Sequence, residues 1–298
     1  MQDGVMIGIP TYNGWRRVRN LLLDLKQRTE CNIKHQIVVC DDSGKPEHRQ
    51  KVKEVCAEFG ATYIENAKNS GVATSWNALV RSTDHEMAVL LNDDVLVAKD
   101  WLGPLVYAVM KNPRAGSVSM NCLFITESDV EKIVSGPDAQ AIPLNVRYEN
   151  GTLIRNERFL EMPKQEDHQP GRVMCPAGCA FGFRRKVYDL VGGFDERYFA
   201  FYEETDFGVA CAWRGMPTFT LPYPHDNYHI WSATFGSAPE IPAGEIMNQS
   251  RNKFVAKWSA ALGKSFQDAP EIHNLLMDKI EKFPFRWIGV GGERSELL

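Results

Sequence analysis

Val89, Leu90 and Leu91 form an apolar, strand-like run that gives way to Asn92, Asp93 and Asp94 before Val95 resumes it. Two carboxylates therefore stand where a buried strand surfaces. Adjacent like charges repel there, and each raises the other's pKa unless a cation or strong donors offset them, so a divalent metal is the economical explanation. A solvated Asn-Asp turn is the plainer alternative. A second acidic cluster follows much later: Glu203, Glu204 and Asp206 crowd three carboxylates behind the aromatic run Tyr198-Phe199-Ala200-Phe201-Tyr202. Capping and the helix dipole account for one or two acids at a helix start, and three exceed that need. An aromatic surround raises a carboxylate's pKa toward the range useful for taking a hydroxyl proton.

Regular alternation must position these groups. Val5 to Ile9 reads as a strand stopped by Pro10, and Val18, Leu21, Leu22 and Leu25 then recur at helical spacing. Gln36 to Cys40 is a second strand with Asp41-Asp42-Ser43-Gly44 as its exit, and Val52, Val55, Cys56 and Phe59 mark the next helix. Ala61–Ile64, Gly71–Arg81 and Met87–Leu91 continue as strand, helix and strand. This pattern predicts an α/β, mostly parallel, doubly wound sheet with helices on both faces. Ligands of such sheets lie outside the carboxyl ends of the strands, which is where Pro10–Asn13, Asp41–Gly44 and Asn92–Asp94 all fall.

A helix over Trp101–Lys111 follows, then an irregular stretch from Phe124 to Gly171. A strand over Val173–Phe183, a helix over Arg184–Val191 ending at Gly192-Gly193, and a helix over Glu203–Trp213 come next. From Pro239 the chain reads as helical, suited to capping the domain or pairing with a second copy. The expected organisation is one domain over 1–238, split into halves over 1–111 and 112–238, with a helical extension over 239–298.

Composition narrows the class. The 298 residues are 44% hydrophobic and 24% charged, enough for a substantial core. A net charge of −4 and a pI near 6.0 supply no general field for nucleic acid or anionic membrane. Seven scattered cysteines with no Cys-x-x-Cys pair argue against a disulfide framework or zinc site and for a reducing compartment. No segment reads as a secretion signal or membrane span, so a cytoplasmic protein, or one peripheral to a membrane, is expected.

The ordered set Pro10-Thr11-Tyr12-Asn13, Asp41-Asp42-Ser43, Asn69-x-Gly71 with Asn77, Leu91-Asn92-Asp93-Asp94, Gly192-Gly193-Phe194-Asp195-Glu196 and Phe201-Tyr202-Glu203-Glu204-Thr205-Asp206 resembles the family 2 glycosyltransferases of the GT-A fold. Some features are similar to its galactofuranosyl- and rhamnosyltransferase members. The resemblance spans roughly the first 235 residues and excludes the tail.

It implies an inverting, metal-dependent transfer of a sugar from a nucleoside diphosphate sugar to an acceptor hydroxyl. Asp94 matches the last acid of the family's D-x-D-type motif and is the expected metal ligand, with Asp93 beside it; Asn92 replaces the first acid. Tyr228-His229-Ile230-Trp231-Ser232 is similar to the segment whose histidine closes the metal site in galactofuranosyl-type members, and an imidazole ligand favours Mn²⁺ over Mg²⁺. A hydrogen-bonded structural histidine is the alternative, and His225 competes with His229. Glu204 matches the family's catalytic acid, with Glu203 adjacent and Asp206 orienting it or touching the acceptor.

For the donor, Asp41 matches the acid that accepts the nucleobase ring N–H, which favours UDP or dTDP. Pro10, Thr11, Tyr12, Asn13, Asp42, Asn92 and Asp93 would line the same site. Asn69, Gly71 and Asn77 would let backbone and amide groups approach ribose and diphosphate, although a helix cap with a glycine turn explains Asn69 and Gly71 as well. Ala177-Gly178-Cys179 matches a small-residue turn facing the acceptor, Cys179 reads as buried and inert among apolar neighbours, and Trp231 offers an acceptor platform or a structural tryptophan. The expected partners are a nucleotide sugar and a glycan, lipid-linked or other hydroxyl acceptor. A sugar-phosphate nucleotidyltransferase and a non-catalytic carbohydrate- or nucleotide-binding module are the competing classes.

Overall fold

A computed structural model describes residues 2–30, 32–125, 148–149, 171–221, 226–230, 242–267, 271–272 and 275–276. The first half alternates as expected: β1 (Gln2–Thr11), α1 (Trp15–Arg28), β2 (His35–Asp41), α2 (Pro46–Phe59), β3 (Thr62–Glu65), α3 (Val72–Arg81) and β4 (His85–Leu91). Pro46 at the first turn and Gly60 in the left-handed region just past the last one set the limits of α2. There follow β5 (Val95–Leu96), α4 (Leu102–Lys111), β6 (Ser117–Ser119), β7 (Asn121–Ile125), β8 (Tyr148–Glu149), β9 (Gly171–Val173) and β10 (Ala180–Arg184). Then come α5 (Arg185–Val191), α6 (Glu203–Trp213), β11 (Thr218–Thr220), β12 (Asp226–Ile230) and α7 (Ala243–Leu262).

The main sheet has the order β3-β2-β1-β4-β10-β6-β11-β9. Its first four strands run parallel, and β10 enters antiparallel between β4 and β6. Alternate residues of β1 pack on opposite faces. Val5, Ile7 and Ile9 meet Val18, Leu21, Leu22 and Leu25 of α1, while Met6 lies with Trp76, Leu79 and Val80 of α3. This is a GT-A-type α/β layer structure. Its strand order reverses between β1 and β4, which opens a crevice at their carboxyl ends.

Two expectations are corrected. The strand read over Val173–Phe183 is two strands: β9 ends at Val173, β10 starts at Ala180, and Pro176 and Gly178 lie in the turn between them. A second sheet, β5-β12-β7-β8, was not foreseen, because strands of two to five residues are too short to show a period. The helical tail caps its own chain: Phe254, Trp258, Phe266, Ile272 and Leu276 share an apolar cluster with Tyr198 and with Val209, Ala210 and Ala212 of α6.

Candidate active site

The crevice between β1 and β4 holds the first acid pair. Asp93 accepts a short hydrogen bond from Thr11 Oγ1 and pairs with Arg17, whose Nε lies 2.9 Å from its Oδ1. Gly14 makes this possible, since a Cβ there would lie 2.0 Å from Asp93 Oδ2. Burial raises the Asp93 carboxyl above its ordinary range, against the opposing pull of Arg17. Both its oxygens are engaged inside the protein, with Arg17 as the neighbouring cation.

Replacing Arg17 with Met should therefore cost about 3–5 kcal/mol, because it strands a buried carboxylate. Thermal melting should fall by on the order of 10 °C at neutral pH. The loss should shrink toward acid pH, where Asp93 is protonated in both folded and unfolded chains. An unchanged melting temperature would mean that the pair does not form.

Asp94 points elsewhere. Strand β12 pairs antiparallel with β5, placing His229 opposite Val95, and Ile230 N–H donates to the Asp94 carbonyl at 2.9 Å. The imidazole is thus brought alongside the acid: His229 Nε2 lies 3.3 Å from Asp94 Oδ1, which is buried and accepts no hydrogen bond. Two ligands about 2.1 Å from one ion and at right angles stand about 3 Å apart, so this pair fits two sites on a divalent cation. Among the described residues no three His, Cys, Asp or Glu side chains form a complete cage. Protein would supply two donors, and ligand and water oxygens the rest. His225 and Trp231 lie outside the described residues.

Cys179 is buried, as expected, but it has a basic neighbour that the sequence did not reveal. Its thiol interacts with His229. Burial would lower the imidazole's pKa, and Cys179 and Asp94 together outweigh that and raise it well above its usual value. The Cys179 carbonyl accepts the Asn92 N–H at 2.8 Å, locking the 177–179 turn against the end of β4.

The later acids begin α6. Glu204 is partly exposed and leans on the same turn, since a Cβ built at Gly178 would lie 3.4 Å from Glu204 Cγ and Cδ. Gly178 and the Glu204 side chain therefore lie within van der Waals reach of each other. Glu203 is buried, its Oε2 accepts no hydrogen bond, and burial followed by the charge of Glu204 pushes its pKa well up. Asp206 is held from α7: its oxygens accept from Lys257 Nζ at 2.6 Å and Trp258 Nε1 at 2.9 Å, and from Tyr198 O–H at 3.4 Å.

Several donor-side residues are hydrogen-bonded within the protein. Asp41 is fully buried, its oxygens accepting Ser43 N–H at 2.8 Å and Tyr63 O–H at 3.2 Å. Asp42 holds the 66–71 loop by accepting from Asn66 Nδ2, Ser70 N–H and Gly71 N–H. Asn77 is saturated: it donates to the Phe194 carbonyl and Glu196 and accepts from Tyr188 O–H and Phe194 N–H. Gly71 has φ +88, and a Cβ there would lie 2.2 Å from the Phe199 carbonyl oxygen, so its requirement is a close backbone approach. In this structure Asp42 and Asn77 brace neighbouring loops.

Pro10, Tyr12, Asn13, Asn69 and Asn92 keep partial exposure around the crevice. Asn13 has φ +52, donates its N–H to Ser43 Oγ at 2.8 Å, and leaves Oδ1 buried with no partner.

Arg17, Tyr63 and Lys257 were missed by the sequence reading. Arg17 alone carried a local signal, for a cation in the first turn of a helix opposes the macrodipole and calls for an anion nearby.

Residues 6–192 match the family model for glycosyl transferase family 2. An uncharacterized glycosyltransferase of Haemophilus influenzae is 29% identical over 106 residues, 36% of this chain and 34% of the relative. The low-salt glycan biosynthesis hexosyltransferase Agl10 of Haloferax volcanii is 24% identical over 212 residues, 70% of this chain and 61% of the relative. The chain thus spans about a third and three fifths of these curated relatives. Among solved structures, the mannosyltransferase PcManGT of Pyrobaculum calidifontis in complex with GDP-Man and Mn²⁺ aligns with a TM-score of 0.58 and 17% identity, covering 93% of this chain and 68% of that one. GalNAc-T7 with UDP, GalNAc and Mn²⁺ aligns at 0.61 and 16%, covering 95% and 58%. At these identities the two structures speak to the fold.

Proposed function

This chain belongs to glycosyl transferase family 2, and from that membership we propose that it moves a sugar from a nucleoside diphosphate sugar to an acceptor hydroxyl, inverting the anomeric carbon. The observation that carries this reading is the 177–179 turn, with Asp94 and His229 beside Cys179 and Glu204 against Gly178. Acids more than a hundred residues apart in sequence are thereby brought to the same turn.

Glu204 is the group that takes the acceptor's proton. Of the three acids at the start of α6 it alone is partly exposed; Glu203 is buried and Asp206 is tied to Lys257. One partly exposed carboxylate suits a single displacement, in which the hydroxyl attacks opposite the leaving diphosphate. A divalent cation held by Asp94 and His229, manganese favoured by the imidazole donor, would neutralise charge on that diphosphate. The crevice residues Thr11, Tyr12, Asn13, Asn69 and Asn92 line the approach of the nucleotide. We favour UDP or dTDP through Asp41, which can accept a ring N–H once Tyr63 or Ser43 yields its place. The six described cysteines are free thiols, which supports a reducing compartment such as the cytoplasm. Among the described residues no helix is long and apolar enough to cross a membrane.

The test is a panel of UDP-, dTDP- and GDP-sugars with MnCl₂, read by nucleoside diphosphate release and thermal shift. Release from a UDP- or dTDP-sugar is the expected result. Pyrophosphate release from a nucleoside triphosphate would point to nucleotidyl transfer instead, and binding without turnover of any donor to a carbohydrate- or nucleotide-binding module.

A further inference from the structure

Helix α7 lies beyond the residues matched by the family model, yet it grips the segment that presents Glu204. Ser250 Oγ donates to the buried Ala200 carbonyl at 2.8 Å, and the Phe254 ring lies 5.3 Å from that of Tyr202. Lys257 Nζ bridges Asp206 at 2.6 Å and Asp195 at 2.9 Å, while Trp258 Nε1 reaches the other oxygen of Asp206. These contacts bracket a strained stretch. Phe201 and Tyr202 have φ of +64 and +71, costing about 1–3 kcal/mol each for such side chains, and geometry of this kind persists only where the surroundings over-determine it.

Electrostatics works against the same turn. Glu203, Glu204 and Asp206 begin α6 together, two of them buried. Like charges so placed repel, and the cation of Lys257 offsets that repulsion at Asp206 while also anchoring Asp195 on the incoming loop. Without it, Asp195 loses its salt bridge to α7, and the Asp206 carboxylate keeps only the neutral Trp258 N–H from that helix.

We propose that Lys257 is a positioning residue: it acts through Asp206 and Asp195 to hold the strained aromatic pair, and with it Glu204, against Gly178. The inference rests on the reading of Glu204 as the base.

The test compares Lys257→Met, Lys257→Arg, Ser250→Ala and, as a control, Gln249→Ala, whose exposed side chain bonds only Glu245 on the same helix. Three quantities are measured: nucleoside diphosphate release from the donor that wild type turns over, UDP affinity with MnCl₂ by calorimetry, and hydrogen exchange of peptides covering 198–206. Lys257→Met should lower turnover about 10- to 100-fold, keep UDP affinity within about twofold, and lose protection over 198–206. Lys257→Arg should restore most of the turnover, and the control should match wild type.

Unchanged protection in Lys257→Met, or loss of UDP affinity in step with turnover, would overturn the inference. Should Lys257→Met not fold, Ser250→Ala leaves the charges in place and must show the same split at a smaller, several-fold size; no split overturns the inference. Should wild type release no nucleoside diphosphate from any donor, the functional reading fails on its own, and exchange over 198–206 alone decides on the clamp.

Discussion

Glu204→Gln is expected to lower turnover about 10²- to 10⁴-fold while UDP with MnCl₂ binds as it does to wild type. The amide keeps the length and most of the contact with the Gly178 turn but cannot accept a proton. The substitution also removes a charge next to buried Glu203, whose pKa that charge helps to raise. Repulsion at the start of α6 therefore falls, and the variant should melt at or above the wild-type temperature. This combination separates a missing base from a damaged fold: turnover goes, whereas affinity and stability stay. Normal turnover would show that another group takes the proton, and a parallel loss of affinity would place Glu204 at the donor instead.

What the sequence conveyed and what it withheld follow from the range of the interactions. The alternation in the first 111 residues was legible because the inner parts of β1, β2 and β4 are buried and α1 and α3 bury an apolar face, which writes short periods into the chain. The candidate site was legible as residue types at strand ends, a location the doubly wound topology gives to ligands. Partners were not. Asp93 and Asp94 are neighbours in sequence with the same side chain, yet one faces Arg17 on α1 and the other His229 on β12. That division arises from successive residues pointing to opposite sides as β4 ends, and the identity of each partner comes from tertiary packing. Asp206 shows the same limit. Three acids within four residues suggested one cluster, whereas a helix distributes neighbours around its axis: Asp206 turns to α7 and Glu204 to Gly178. The partners of Asn77 were hidden for a related reason, since a buried amide bracing the 194–196 loop and one contacting a ligand look alike in sequence.

The partition of the strand-end acids sets the second large effect. Asp94→Asn should weaken manganese-dependent UDP binding by about 10- to 100-fold or more and lower turnover with it, because the oxygen left at that place is a neutral and poorer ligand. The sign without metal is the sharper part. In EDTA the Asp94 carboxylate repels an incoming diphosphate, so the variant should bind UDP as well as wild type or better. The gain in affinity on adding MnCl₂, large for wild type, should therefore collapse from both directions. Asp93→Asn is the internal contrast: with its carboxylate committed to Thr11 and Arg17, its loss should lower the melting temperature and leave the manganese increment in place. If Asp94→Asn keeps the increment while Asp93→Asn loses it, the two acids have exchanged roles. The cation would then sit on the α1 side of β4, away from His229.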